Sequence, residues 1–126
     1  MPRMLVTLSF LFHLSAFAQD DDFSLRRAGM TEYLAGHFFE AEALLRRSLA
    51  AAQTANNTYG AALSYSALGD VYGIQSRLSE AEGAFRNAIS ALGDRPEWSH
   101  ARAITWRNLG SVLTAKGRYK EALSAL

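Results

Sequence analysis

The chain has 126 residues, 49% of them hydrophobic and 20% charged, with 2 Pro and no Cys. That length holds one small domain rather than a multi-domain enzyme, and the missing Cys excludes disulfides, Cys-ligated metals and iron–sulfur centres. Lys+Arg 13 against Asp+Glu 12 leaves a formal charge of +1, which gives no bulk attraction to nucleic acid or anionic lipid.

Residues 1–18 (MPRMLVTLSFLFHLSAFA) carry Arg3 and the terminal amine, then an apolar run from Met4 to Leu14, then Ala16-Phe17-Ala18. Positive start, short apolar stretch and small-x-small ending together predict a secretory signal peptide, cleaved between Ala18 and Gln19. Asp20-Asp21-Asp22 ends the apolar stretch before the roughly 20 residues that a membrane span needs. An uncleaved anchor is the alternative. Cleavage removes Arg3 and brings basic and acidic residues level, so the expected product is a neutral, exported chain, periplasmic or secreted. No Cys follows the apolar stretch, which excludes a lipid-anchored lipoprotein.

A short acidic linker, residues 19–22, leads into three predicted helix-turn-helix units at about 23–56, 57–97 and 98–126. The first unit breaks at Gly36. In the second, Tyr65, Leu68, Gly69 and Tyr72 keep the i, i+3, i+4, i+7 spacing of one helical face. A break at Gln75-Ser76-Arg77 follows, and then Leu78, Ala81, Phe85, Ala88 and Ile89 form a second apolar stripe. Ser79-x-x-Glu82 predicts a capping box at that helix's start, and Gly93-Asp94-Arg95-Pro96 its end. The third unit breaks at Gly117 and runs only about two turns further, to Leu126. This predicts a fraying last helix, and an array that is the front of a longer one, a truncated product, or one completed by a partner or by self-association.

The units repeat one another. Gly29, Gly69 and Gly110 stand 40 and 41 residues apart, as do Leu25, Tyr65 and Trp106; Phe38, Leu78 and Tyr119; Ala41, Ala81 and Ala122; and Leu45, Phe85 and Leu126. Glu40, Glu80 and Glu121 fall in the first turn of each second helix, where a carboxylate favours the positive end of the helix dipole. Gly inside a helix costs about 1 kcal/mol against Ala, so its recurrence at one slot argues for a steric reason. Gly29, Gly69 and Gly110 facing Ala41, Ala81 and Ala122 are expected to let paired helices approach closely.

Tyr65, Leu68-Gly69, Tyr72, Leu78, Ala81, Phe85 and Ala88, with Trp106, Leu109-Gly110, Leu113, Gly117, Tyr119 and Ala122, resemble the tetratricopeptide repeat signature. The resemblance covers roughly Phe23 to Leu126, and the first unit is the loosest, with Glu32 where an aromatic is usual. The family period is about 34 residues, so 40 and 41 are similar to the longer variety of kinesin light chains. The implied fold is all-α, an α-α superhelix of about two and a half repeats. The implied function is non-catalytic protein–protein scaffolding: a peptide or partner helix binds in a concave groove lined by the first helix of each pair, without cofactor, metal or nucleic acid.

Carried onto this sequence, the groove presents Phe23, Arg26, Met30 and Tyr33; then Leu63, Ser66, Asp70, Gly73 and Ile74; then Ile104, Arg107, Ser111 and Thr114. Arg26, Tyr33, Asp70 and Arg107 are the expected contacts, against a reading of all of them as ordinary solvated helix faces. The carboxylate clamp of some members does not fit: Arg26 matches one basic slot, but Met30, Ala67, Ile104 and Asn108 occupy the others. Arg46 and Arg47 are expected to pair with Glu40 and Glu42 rather than with phosphate, and Trp98 to pack over the junction between units. His13, His37 and His100 lack ligand spacing, and no nucleophile elbow, phosphate loop or poised carboxylate pair occurs. The alternative function is the N-terminal sensor or regulatory segment of a longer enzyme or signalling protein.

Overall fold

The computed structural model describes residues 20–125. The predicted signal segment and Leu126 lie outside the described residues. Within them the chain is helical and without strands: α1 (Asp22–Leu34), α2 (Phe38–Thr54), α3 (Thr58–Ile74), α4 (Leu78–Leu92), a 3-10 turn (Pro96–Trp98), α5 (Ser99–Ala115) and α6 (Tyr119–Ala125). Each helix packs on the next, and α1 touches α3 as α3 touches α5. The first helices of the pairs therefore make one layer and the second helices the other, as expected of an α-α superhelix.

The turn inside each pair is built the same way three times. Backbone N–H groups of Gly36, Ser76 and Gly117 donate to Tyr33, Gly73 and Thr114 at 3.0, 3.0 and 2.9 Å. Those of His37, Arg77 and Arg118 reach back five residues to Glu32, Tyr72 and Leu113 at 2.9, 2.9 and 2.8 Å. These are the bonds that satisfy carbonyls at a helix end when the next residue turns left-handed. Gly36 and Gly117 take φ of +82° and +79°, and Ser76 holds the same slot at 59° without glycine's freedom. Between pairs, Asn57 accepts from the Gly60 N–H at 2.9 Å and caps α3. The extra residue of the longer spacing falls between α4 and α5. There Gly93 ends α4, Pro96 opens the 3-10 turn, and Arg102 donates to the Gly93 carbonyl at 2.6 Å.

Helix starts correct two expectations. Asp21 caps α1 by accepting from Ser24 N–H at 2.8 Å, so α1 already includes Asp22 of the predicted linker. The Ser79/Glu82 capping box does not form, because α4 begins at Leu78 with Arg77 as its uncapped N-cap residue. Ser79 instead accepts from Lys116, and Glu82 turns to cations of the next pair.

The core runs through both layers: Ala41, Leu45, Leu68, Val71, Ala81, Phe85, Leu109 and Leu113 are all buried. The expected notch is present at Gly29 and Gly69, but what fills it first is a large side chain of the second helix rather than the alanine. A Cβ on Gly69 would lie 2.5 Å from the Phe85 ring, and one on Gly29 would lie 2.8 Å from Leu45. Leu45 and Phe85 are themselves 40 residues apart, so two pairs solve the same crossing with the same small-on-large exchange.

A charge ladder stitches successive pairs together. Glu42 on α2 accepts from Arg46 and from Arg77 of the next turn, both at 2.9 Å. One repeat on, Glu82 accepts from Arg86 at 2.9 Å, Arg118 at 2.7 Å and Lys116 at 2.9 Å. Arg77 and Arg118 also hold the Glu80 and Glu121 of their own pairs. The Arg77 bond holds the Glu42 carboxyl below the usual range, and Lys116, with Arg86 and Arg118, draws Glu82 down to about 2. Arg46 thus pairs with Glu42 as the sequence suggested, whereas Arg47 reaches Asp20 at 3.2 Å.

Candidate binding groove

Three columns of the repeat face one another across α1, α3 and α5: Arg26, Ser66 and Arg107; Met30, Asp70 and Ser111; Tyr33, Gly73 and Thr114. The fold uses them unequally. An open cavity of about 300 Å³ takes Tyr33 from α1, Asp70, Gly73 and Ile74 from α3, and Asn108 and Ser111 from α5. Leu78 and Phe85 of α4 form its floor with Gly69, and Val112 and Ala115 complete the α5 wall. Gly73 makes the room: a Cβ there would meet nothing within 4 Å. Tyr33 is held in place by Phe38, their ring centroids 6.0 Å apart.

The other expected contacts go elsewhere. Arg26 pairs with Asp22 at 3.0 Å and donates to the Gly60 carbonyl at 3.3 Å and to Ser64 Oγ at 3.4 Å, its side chain only 15% exposed. It joins α1 to α3 and is spent inside the fold. Met30 packs against the core, and Ser66 bonds to Thr105 across to α5 at 2.9 Å. Thr114 donates to the Gly110 carbonyl at 2.9 Å, on the helix it belongs to. Arg107 is exposed but does not line the cavity. Phe23, Leu63 and Ile104 also lie outside it, although Phe23 is 61% exposed.

Sequence reasoning put Asn108 at a clamp slot without expecting a contact from it, and missed Val112 and Ala115 as groove residues. With Ser111 they make an i, i+3, i+4, i+7 stripe on α5, so helical spacing alone could have found them. Asn108 Nδ2 donates to Asp70 Oδ1 at 3.4 Å, a long and weak bond. Asp70 has no cationic partner among the described residues, and burial alone pushes its carboxyl up to about 6.

Outside the groove, Trp98 stacks on Tyr59 with centroids 5.3 Å apart and carries the Arg95 guanidinium 4.5 Å above its ring. It packs across the joint between the second and third pairs, as expected. His37 lies 2.6 Å from Glu32. Among the described residues, no group of three His, Asp or Glu side chains could hold a metal, and no helix is long and apolar enough to cross a membrane. No family model matches the sequence, and no curated protein matches it either.

Proposed function

We propose that this chain is an exported protein–protein interaction module of the tetratricopeptide type, binding a peptide or partner helix in its inner groove without catalysis. The observation that carries this reading is the cavity across α1, α3 and α5, with apolar walls and a few convergent polar groups. Its place on the first helices of the pairs is the place the family resemblance implies for a ligand. The export half of the reading rests on residues 1–18, and sequencing the N-terminus of the fractionated protein checks it: a chain beginning at Gln19 outside the cytoplasm is expected, a cytoplasmic chain beginning at Met1 refutes it.

The binding half is tested with a displayed library of random dodecapeptides. Gly73→Leu fills the inner groove from a position with free space around it, and Gly83→Leu does the same on the opposite layer. Peptides selected on the wild-type chain should be lost by Gly73→Leu and kept by Gly83→Leu. The reverse pattern would move the site to the outer layer and overturn the assignment.

A further inference from the structure

Resting on that groove reading, we infer that the occupant is a peptide segment that inserts a lysine or arginine side chain beside Asp70, with apolar residues flanking the basic one. The argument begins with how this protein treats its other carboxylates. Asp22, Glu42 and Glu82, with side chains 13%, 17% and 13% exposed, each have an Arg within 3.0 Å. Glu32, the remaining partly covered one, has His37 at 2.6 Å. Asp70 is partly buried as well, yet among the described residues its one polar contact is the weak bond from Asn108. A carboxylate has about four lone-pair sites, so among the described residues most of the capacity of Asp70, a cavity-lining residue, is unspent.

The remaining walls narrow the chemistry. Among the described residues no other charged side chain lines the cavity; Tyr33, Asn108 and Ser111 are the other polar side chains there, and Gly69, Ile74, Leu78, Phe85, Val112 and Ala115 are apolar. An acidic ligand group would be repelled, and a neutral one would bury Asp70 uncompensated. A basic side chain meets both demands, since its methylenes cover apolar wall while its head reaches the carboxylate. The Tyr33 ring lines the same cavity, and an aromatic side chain beside the site suits a cationic ligand. About 300 Å³ suits one or two side chains rather than a folded surface.

The test uses the full chain and the strongest peptide recovered from the dodecapeptide library, resynthesised with its basic residue and with Met in that place. Toward the wild type, the Met replacement should weaken binding at least about 10-fold, the scale of one charge-assisted hydrogen bond. Toward Asp70→Asn, with folding checked by circular dichroism, the same replacement should matter less than about two-fold, as a double-mutant cycle requires of partners. Equal losses toward both proteins, or selected peptides without a basic residue, overturn the inference while Gly73→Leu still blocks binding. If Gly73→Leu binds every peptide as the wild type does, it is the groove reading that fails. Concentration-dependent dimerisation in sedimentation, abolished by Asp70→Asn, would put a second copy of the chain in the groove and also overturn the inference.

Discussion

Gly69→Ala isolates the close crossing on which the second pair depends. The new methyl would sit 2.5 Å from Phe85 Cε1 and 2.7 Å from Cδ1 and Cζ. Carbon atoms rest at about 3.5–4.0 Å, so ring or helix must retreat by roughly 1 Å. Phe85 is 2% exposed and packed in the core on every side but the one that floors the groove, so the ring can yield only toward that cavity. Overpacking of this kind costs about 1–3 kcal/mol, while replacing Gly by Ala inside a helix returns about 1 kcal/mol. Gly83→Ala supplies the reference, because its added methyl meets nothing within 4 Å on α4 and collects only the helical gain. The propensity term cancels in the comparison, so Gly69→Ala should fall below Gly83→Ala by about 1–3 kcal/mol. Urea unfolding followed by circular dichroism and by Trp98 and Trp106 fluorescence measures the gap. In a Phe85→Leu background the gap should shrink, since the two sites share one contact. A gap below about 0.5 kcal/mol would refute the steric account of the repeating glycine.

Three further outcomes follow from the geometry. Ser76→Gly should stabilise the chain by about 0.5–1 kcal/mol, because φ of 59° strains an L-residue in a slot that Gly36 and Gly117 fill elsewhere; a lower urea midpoint would contradict it. Asp70 binds its proton more tightly folded, at about 6, than unfolded, at 3.8, so its contribution to stability is best below pH 4 and falls as pH rises through 6. Asp70→Asn should therefore be the more stable protein above pH 6, by roughly 2–3 kcal/mol, and equal to the wild type near pH 4; equal stability at pH 7.5 would count against it. Glu82 has the opposite sign: its carboxyl is drawn from 4.5 to about 2, so its stabilisation is complete above pH 4.5 and lost as pH falls through 2. Glu82→Gln should cost roughly 1–2 kcal/mol at pH 7 after allowance for solvent screening, and only a small part of that near pH 2, which melting curves at the two pH values would show.

The helical layers were legible in the sequence because each pair solves its packing locally. Gly69 against Phe85 and the turns at Gly36 and Gly117 depend on a few neighbouring residues, and their recurrence at 40 and 41 exposes them. The fate of Arg26 was not legible. In one dimension it is an exposed groove cation, and only the approach of α3 brings the Gly60 carbonyl and Ser64 within its reach. The Glu42–Arg77 and Glu82–Arg118 pairs were hidden for a similar reason, since their partners lie 35 and 36 residues apart. The same column arithmetic that found the glycines contains them, because Glu42 and Glu82 stand one period apart, as do Arg77 and Arg118. Tyr33, Asp70 and Ser111 were placed on the inner face from the family resemblance, and the structure gathers them around one cavity. What no spacing could say is that Gly73 leaves room there and that Asp70 lines that room without a counter-charge among the described residues.

The six residues from Gly93 to Trp98 do a different job from the three-residue turns within pairs. The turns are fixed in length by the bonds that close them, whereas this joint is three residues longer than the one before α3 and α4 two residues shorter than α2, a net gain of one that leaves the α5 columns in step with those of α3. Arg102 holds the first carbonyl of the joint, and Trp98 lies against Tyr59, so both ends are anchored while Asp94 is exposed and Arg95 caps the outer face of Trp98. Extra sequence spliced between Asp94 and Arg95 would thus have firm ground on either side, making this joint a natural port for a reporter, an affinity handle or an engineered protease site.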